Sequence, residues 1–181
     1  MPAMRVLGLD PGSRRTGWGV VDRSGNSFRC VEHGCIAPSA RMDLPRRLHH
    51  LAKEAGALID RLAPAVVVVE EAFYHESVRS TLVLGHVRGA LMVAAVERGI
   101  DVAEYTPREI KMAVVGNGGA AKEQVEFMVR RILGLPDPVQ ADAADALAGA
   151  LCHLNRSRFA AARAGARASK GFEALLARAA R

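Results

Sequence analysis

The sequence predicts an α/β protein built on a five-stranded mixed sheet flanked by helices. Three observations carry that expectation. Three apolar runs separated by short turns fill the first 36 residues, Val66–Val69 is an unbroken β-branched run, and strand and helix patterns alternate after it.

Met4 to Asp10 and Gly17 to Val21 read as two antiparallel strands joined by the Pro11–Thr16 turn, with Ser24-Gly25-Asn26 turning into a third strand over Phe28 to Ile36. Asp43 is placed to cap a helix running from Pro45 to Leu62, where Leu48, Leu51, Ala55, Leu58 and Ile59 recur at helical spacing. Val66–Val69 has the composition of a strand buried on both faces, and it ends in Glu70 and Glu71. Then follow a helix from Val78 to Arg98, a strand near Val102 to Tyr105, a helix opening at Pro107, the Gly116–Gly119 loop, and helices near Ala121–Leu133 and Ala141–Leu154. The helix at 78–98 is apolar over a wide arc, and Gly85 and Gly89 permit close backbone approach. A partner or full burial within one subunit would cover it.

A chain of 181 residues suits one domain, and one of this size buries roughly 70% of the surface its unfolded form exposes. Cys30, Cys35 and Cys152 are odd in number and lack metal-ligand spacing, so neither a disulfide framework nor a zinc site is expected. No apolar stretch approaches the ~20 residues of a membrane span, and no leader pattern precedes Asp10, which together predict a soluble, cytoplasmic protein. From Arg156 onward seven basic residues face one acid, Glu173, which accounts for the whole net charge of +6. Residues 1–155 are expected to form the domain. Residues 156–181 form a basic Ala/Arg-rich tail, suited to contacting phosphates or simply solvated.

The segment QADAADALAGAL (140–151) is a helix pattern that carries Asp142 and Asp145 on one face. Taken alone, the simpler account is a pair of first-turn carboxylates complementing the helix dipole after Pro136 and Pro138. Asp10 and Glu70, however, each end a predicted strand. If those strands are parallel neighbours, both carboxylates emerge at the sheet's carboxyl edge, where α/β folds bind their ligands. Four acids from three distant segments would then converge, and clustered carboxylates repel unless a cation sits among them. An all-oxygen donor set points to Mg²⁺ or Mn²⁺.

The blocks LGLDPGSRRTGWGVVD, VVVEEAF, YTPREIKMAVVGNGGAAKEQV and QADAADALA resemble, in order and spacing over roughly residues 4–155, those of the RuvC family of bacterial Holliday-junction resolvases. The resemblance implies an RNase H-like fold, catalysis by Asp10, Glu70, Asp142 and Asp145, and lysines of the site at Lys111 and Lys122. Glu70 is preferred to Glu71 because the family's pattern sets an aromatic three residues after its glutamate, and Phe73 stands there. It also implies a homodimer acting on four-way junction DNA supplied by a branch-migration motor. Two metal ions about 4 Å apart suit phosphodiester hydrolysis, with the lysines as point charges on phosphate oxygens. The stretch AFYHESVRS offers Phe73 and Tyr74 beside Arg79, a composition suited to stacking on an unpaired base. Trp18 reads as core, and His75 and His86 as surface or packing residues.

Rival readings differ in substrate or class. GNGGAAKE at 116–123 nearly spells a P-loop, but Ala121 stands where glycine is required and Glu123 where a hydroxyl should hold Mg²⁺. An RNA-processing nuclease of the RuvX type shares the opening LDPG. A non-catalytic junction-binding protein would use the tail, but four acids would only weaken its hold on phosphate.

Overall fold

The computed structural model describes residues 3–71, 77–135 and 138–157. Its strands are β1 (Met4–Asp10), β2 (Thr16–Ser24), β3 (Ser27–Ile36), β4 (Val66–Glu70) and β5 (Asp101–Tyr105). The helices are α1 (Leu44–Leu62), α2 (Val78–Val96), α3 (Pro107–Val115) and α4 (Lys122–Leu133), followed by α5 over 141–157. The strands form one sheet in the order β3-β2-β1-β4-β5. β1 runs antiparallel to β2 and parallel to β4, and β4 runs parallel to β5, so the sheet is mixed as expected.

The alternation of side chains along each strand divides the core into two layers. Leu7, Leu9, Val67 and Val69 pack against α1 and α2, while Val6, Val21 and Val68 pack against α3, α4 and α5. Local chemistry sets the helix starts. The Asp43 carboxylate accepts from the Arg46 N–H to cap α1, Thr106 and Glu109 form a reciprocal capping box on α3, and Gln124 Oε1 accepts from the Ala121 N–H at the head of α4.

The seat of α5 is made of missing side chains. A Cβ on Gly8 would lie 1.9 Å from the Ala146 carbonyl oxygen, one on Gly17 1.9 Å from that of Asp142, and one on Gly19 2.5 Å from Leu147 Cγ. Ala143, Ala144, Ala146, Ala148 and Ala150 are buried on the helix side of the contact. The far end is tied down by Arg23, 5% exposed, whose Nη1 donates to the Leu154 carbonyl at 2.9 Å and to Ser157 Oγ at 3.3 Å. A cation on the last carbonyls also complements the helix dipole.

Several boundaries moved. β2 runs to Ser24 because Arg5 and Asp22, opposite each other across β1 and β2, close a two-bond ion pair at 2.7 and 2.9 Å. α2 ends at Val96, short of Arg98. α5 passes Leu154 to reach 157, and Arg156, assigned above to the tail, is held by Glu109 at 3.0 Å; residues 158–181 lie outside the described residues. A Cβ at Gly85 or Gly89 would meet nothing within 4 Å among the described residues, and Val78, Leu82, Val93 and Val96 on the same helix are between 56% and 71% exposed. The described residues therefore leave this edge of the helix uncovered. Cys30, Cys35 and Cys152 are free thiols. No helix among the described residues is long and apolar enough to cross a membrane.

The glycine seat makes a direct prediction. Gly8→Ala should destabilise the fold by about 3 kcal/mol or more, because its methyl meets backbone rather than a movable side chain. Gly149→Ala, whose Cβ would sit 3.4 Å from Val68 Cγ1, should cost under about 1 kcal/mol, since a helix interior favours alanine. Urea unfolding midpoints at equal m-value measure both.

Candidate active site

Parallel pairing of β1 and β4 aligns Leu9 with Val69, so Asp10 and Glu70 follow side by side at the carboxyl edge of the sheet. Alternation from Gly8 and Val68 turns both side chains to the face that carries α5. Asp10 is also the cross-strand partner of Gly17, and Gly17 is where the backbone of Asp142 makes its closest approach. The absence of a side chain at 17 therefore brings the first turn of α5 against the end of β1. Asp145, one turn further along α5, faces Glu70 across a cavity of about 210 Å³ that Lys111 and Lys122 also line, with Ile110 and Val125 as apolar wall.

These acids act on one another. Burial, then the charges of Glu70, Asp145 and Asp142, push the Asp10 carboxyl up to about 8. Burial and Asp145 push Glu70 up to about 7, against the opposing pull of Lys122 and Lys111. Burial likewise raises Asp145, although Lys122 Nζ stands 2.6 Å from its Oδ2. That bond holds the Lys122 ammonium above its ordinary range. On the other side, Arg15 Nε lies 3.7 Å from Asp142 Oδ2.

With Lys122 and Arg15 standing on the two aspartates of α5, no three His, Cys, Asp or Glu among the described residues close around a single point. The neighbouring acids are near enough to raise the proton affinity of Asp10, Glu70 and Asp145. The donor set nevertheless fits a hard divalent cation: four carboxylates, no thiolate among them, and a mutual repulsion that such a cation would relieve.

Asp10, Glu70, Asp142, Asp145, Lys111 and Lys122 are thus brought together. Arg79, exposed on the first turn of α2, instead lines a separate cleft with the turn that follows Asp10. Phe73, Tyr74 and His75 lie outside the described residues. His86 is exposed, and Trp18 is core at 8% exposure. Gly116 ends α3 in the left-handed region at φ 80°, and Asn117 Oδ1 accepts from the Gly119 N–H, so the near-P-loop is the connector that delivers Lys122. Sequence reading missed Arg15. It also missed Cys35, whose ionisation feels Asp142 and Arg15 and whose thiol burial pushes above its ordinary range. The doubled arginine of GSRRTG was the available signal for the first; the second had none.

The raised carboxyls make stability depend on pH in a definite direction. Their folded pKa values exceed the unfolded ones, so the contribution is full below the ordinary carboxylate range and is lost as pH rises toward 7 to 8. In EDTA the melting temperature should fall across that window. Asp10→Asn should melt above the parent near pH 8 by about 2 kcal/mol, roughly 4–8 °C for a chain of this length. A divalent cation should raise the parent's melting temperature far more than the variant's. Calorimetry with and without EDTA checks each outcome.

Comparison with known proteins gives these positions a setting. The family model for crossover junction endodeoxyribonuclease RuvC matches residues 6–153. The chain is 46% identical over 156 residues to the RuvC of Magnetococcus marinus, covering 86% of this chain and 87% of that one. It is 48% identical over 152 residues to that of Pelobacter propionicus, covering 84% and 86%. Among solved structures it is similar to Thermus thermophilus RuvC in complex with Holliday junction substrate, with TM-score 0.82 and 36% identity over 87% of this chain and 96% of that one. The yeast mitochondrial Holliday junction resolvase Ydc2, at 15% identity and TM-score 0.64, shares the RNase H-like fold. By the length and identity of these matches, the chain belongs to the RuvC family of crossover junction endodeoxyribonucleases.

Proposed function

We infer that this protein is a metal-dependent endonuclease that resolves four-way DNA junctions by hydrolysing phosphodiesters in two opposing strands, in recombination and repair. The observation that carries the reading is the meeting of Asp10, Glu70, Asp142 and Asp145, with Asp10 pushed up to about 8 by burial and its neighbours' charge. Membership of the RuvC family supplies the substrate class. A pair of divalent cations, Mg²⁺ with Mn²⁺ able to take its place, supplies the activated water and the neutralisation of the departing oxygen, leaving 5′-phosphate and 3′-hydroxyl ends.

The four carboxylates hold those cations, Asp10 and Glu70 from the strand ends and Asp142 and Asp145 from α5. Lys122, which stands on Asp145, and Lys111, which lines the same cavity, would meet the phosphate oxygens of a bound strand. As ammonium groups they act as point charges with no fixed geometry, which suits a site whose occupants change during the reaction. Phe73 and Tyr74 stack on unpaired bases at the junction, and Arg79 holds a phosphate.

Cutting symmetric strands calls for two sites related by a two-fold axis. The exposed stripe Val78, Leu82, Gly85, Gly89, Val93 and Val96 supports a homodimer, because its spacing follows one helix edge and no element among the described residues covers it. Residues 156–181 continue the reading as a basic tail on the nuclease domain 1–155. The enzyme acts in the cytoplasm on junctions delivered by a branch-migration motor.

Two experiments test this. Incubation with a mobile four-way junction, a linear duplex and a structured RNA should give paired nicks in the junction alone, dependent on Mg²⁺. Asp10→Asn should lower the rate by about three orders of magnitude or more, the scale expected when a metal ligand central to the reaction is lost. Cleavage of RNA, or indifference to Asp10→Asn, would overturn the reading. Separately, Leu82→Glu should convert the dimer to a monomer in sedimentation and leave single, uncoupled nicks.

A further inference from the structure

A cleft lies beside the acid site, and of its arginines only Arg79 has been given a role. It has a volume of about 680 Å³, and its walls come from the turn after Asp10, the start of α1 and the start of α2. The Pro11–Thr16 turn has two consecutive arginines, Arg14 and Arg15, that part company. Arg15 reaches Asp142 in the acid cluster, while Arg14 lines the cleft. One short turn is therefore the wall shared by both places.

Charge in the cleft is strongly one-sided. Arg14, Arg47 and Arg79 line it, against a single acid, Asp43. Asp43 is already neutralised, since its carboxylate accepts from the Arg46 backbone N–H at 3.1 Å and pairs with Arg46 Nη1 at 3.1 Å. Arg47 is braced by donating from Nη2 to the Met42 carbonyl at 3.0 Å, which leaves its remaining donors available. Arg14 and Arg79 are exposed and make no hydrogen bond or ion pair with a described residue. Three guanidinium groups gathered in a concave site, with no unpaired acid among the described residues that line it, are matched to an extended anion, and planar forked donors suit phosphodiester oxygens.

We propose that the cleft lined by Arg14, Arg47 and Arg79 is a second phosphate-binding track, which grips the backbone of the cleaved strand next to the phosphodiester held at the acid site. This rests on the junction-cleaving function proposed above and deepens it. A strand whose scissile phosphate lies at Asp10 runs past the Pro11–Arg14 turn, and the cleft is what that turn opens into. The grip acts on binding rather than on chemistry, because none of the three arginines reaches the carboxylates.

The test uses the full-length protein with Arg14→Gln, Arg47→Gln, the double variant and the double lysine variant. Binding to a labelled four-way junction is followed by anisotropy across a salt series, with Ca²⁺ as the filling cation. Each neutral substitution should weaken binding about 3- to 10-fold, and each should reduce the steepness of log K against log salt by about one. The lysine variant should keep the salt slope. Replacing single phosphates of the cleaved strand by methylphosphonates should weaken the parent at positions flanking the scissile bond and leave the double variant unaffected there.

Unchanged affinity and slope in Arg14→Gln, which breaks no contact within the described residues, would overturn the proposal without any question of misfolding. Thermal protection by inorganic phosphate that Arg14→Gln abolishes, with junction affinity untouched, would also overturn it by making the cleft a free-anion site. Mg²⁺-dependent cleavage at saturating junction separates the two readings. If it persists in all variants while binding is unaltered, the cleft assignment fails and the nuclease function stands. If the parent itself does not cut junctions, the function fails first.

Discussion

The acid end of this molecule depends on how closely α5 lies on β1 and β2. Helices normally ride on a layer of side chains, about 10 Å from the sheet they cover. Here Gly8, Gly17 and Gly19 remove that layer, and the alanines of α5 remove it from the other side. Helix backbone then meets strand backbone, and the carboxylates at the head of α5 come to those at the ends of β1 and β4. The alanine-rich character of QADAADALAGAL and the glycines of GLDPGSRRTGWG are two halves of one contact, although more than 120 residues separate them.

That contact has an electrostatic consequence. Packing Asp10, Glu70 and Asp145 against a low-dielectric core opposes their ionisation, and cations stand on two sides of the cluster, Lys122 on Asp145 and Arg15 on Asp142. A site of this kind is less stable where the acids are charged, and it is the region where a multivalent ligand gains most by binding. Stability and reactivity therefore pull against each other at Asp10 and Glu70, as they do wherever function requires like charges to be held together.

Much of this was legible in the chain. The strands could be read because hydrophobic runs alternate with turn residues, and the four acids because two end expected strands and two share one face of an expected helix. What stayed hidden depended on partners distant in sequence. β2 extends through Asp22 and Arg23, polar residues that look like loop until Arg5 and the Leu154 carbonyl answer them. α5 extends past Leu154 because Asn155 Nδ2 donates to the Ala113 carbonyl and Arg156 pairs with Glu109. The doubled arginine of GSRRTG marks the turn but does not say that Arg15 is the one that faces Asp142. Gly85 and Gly89 suggested a close backbone approach, but among the described residues nothing lies within 4 Å of where their side chains would stand.

The account's central claim is that carboxylates from β1, β4 and α5 share bound cations. Anomalous diffraction from crystals soaked in Mn²⁺ tests it most directly. The account predicts manganese peaks bridging Asp10 to Glu70, Asp142 or Asp145, with Lys122 drawn away from Asp145. Manganese confined to other surfaces, with Lys122 still on Asp145 at saturating metal, would contradict it.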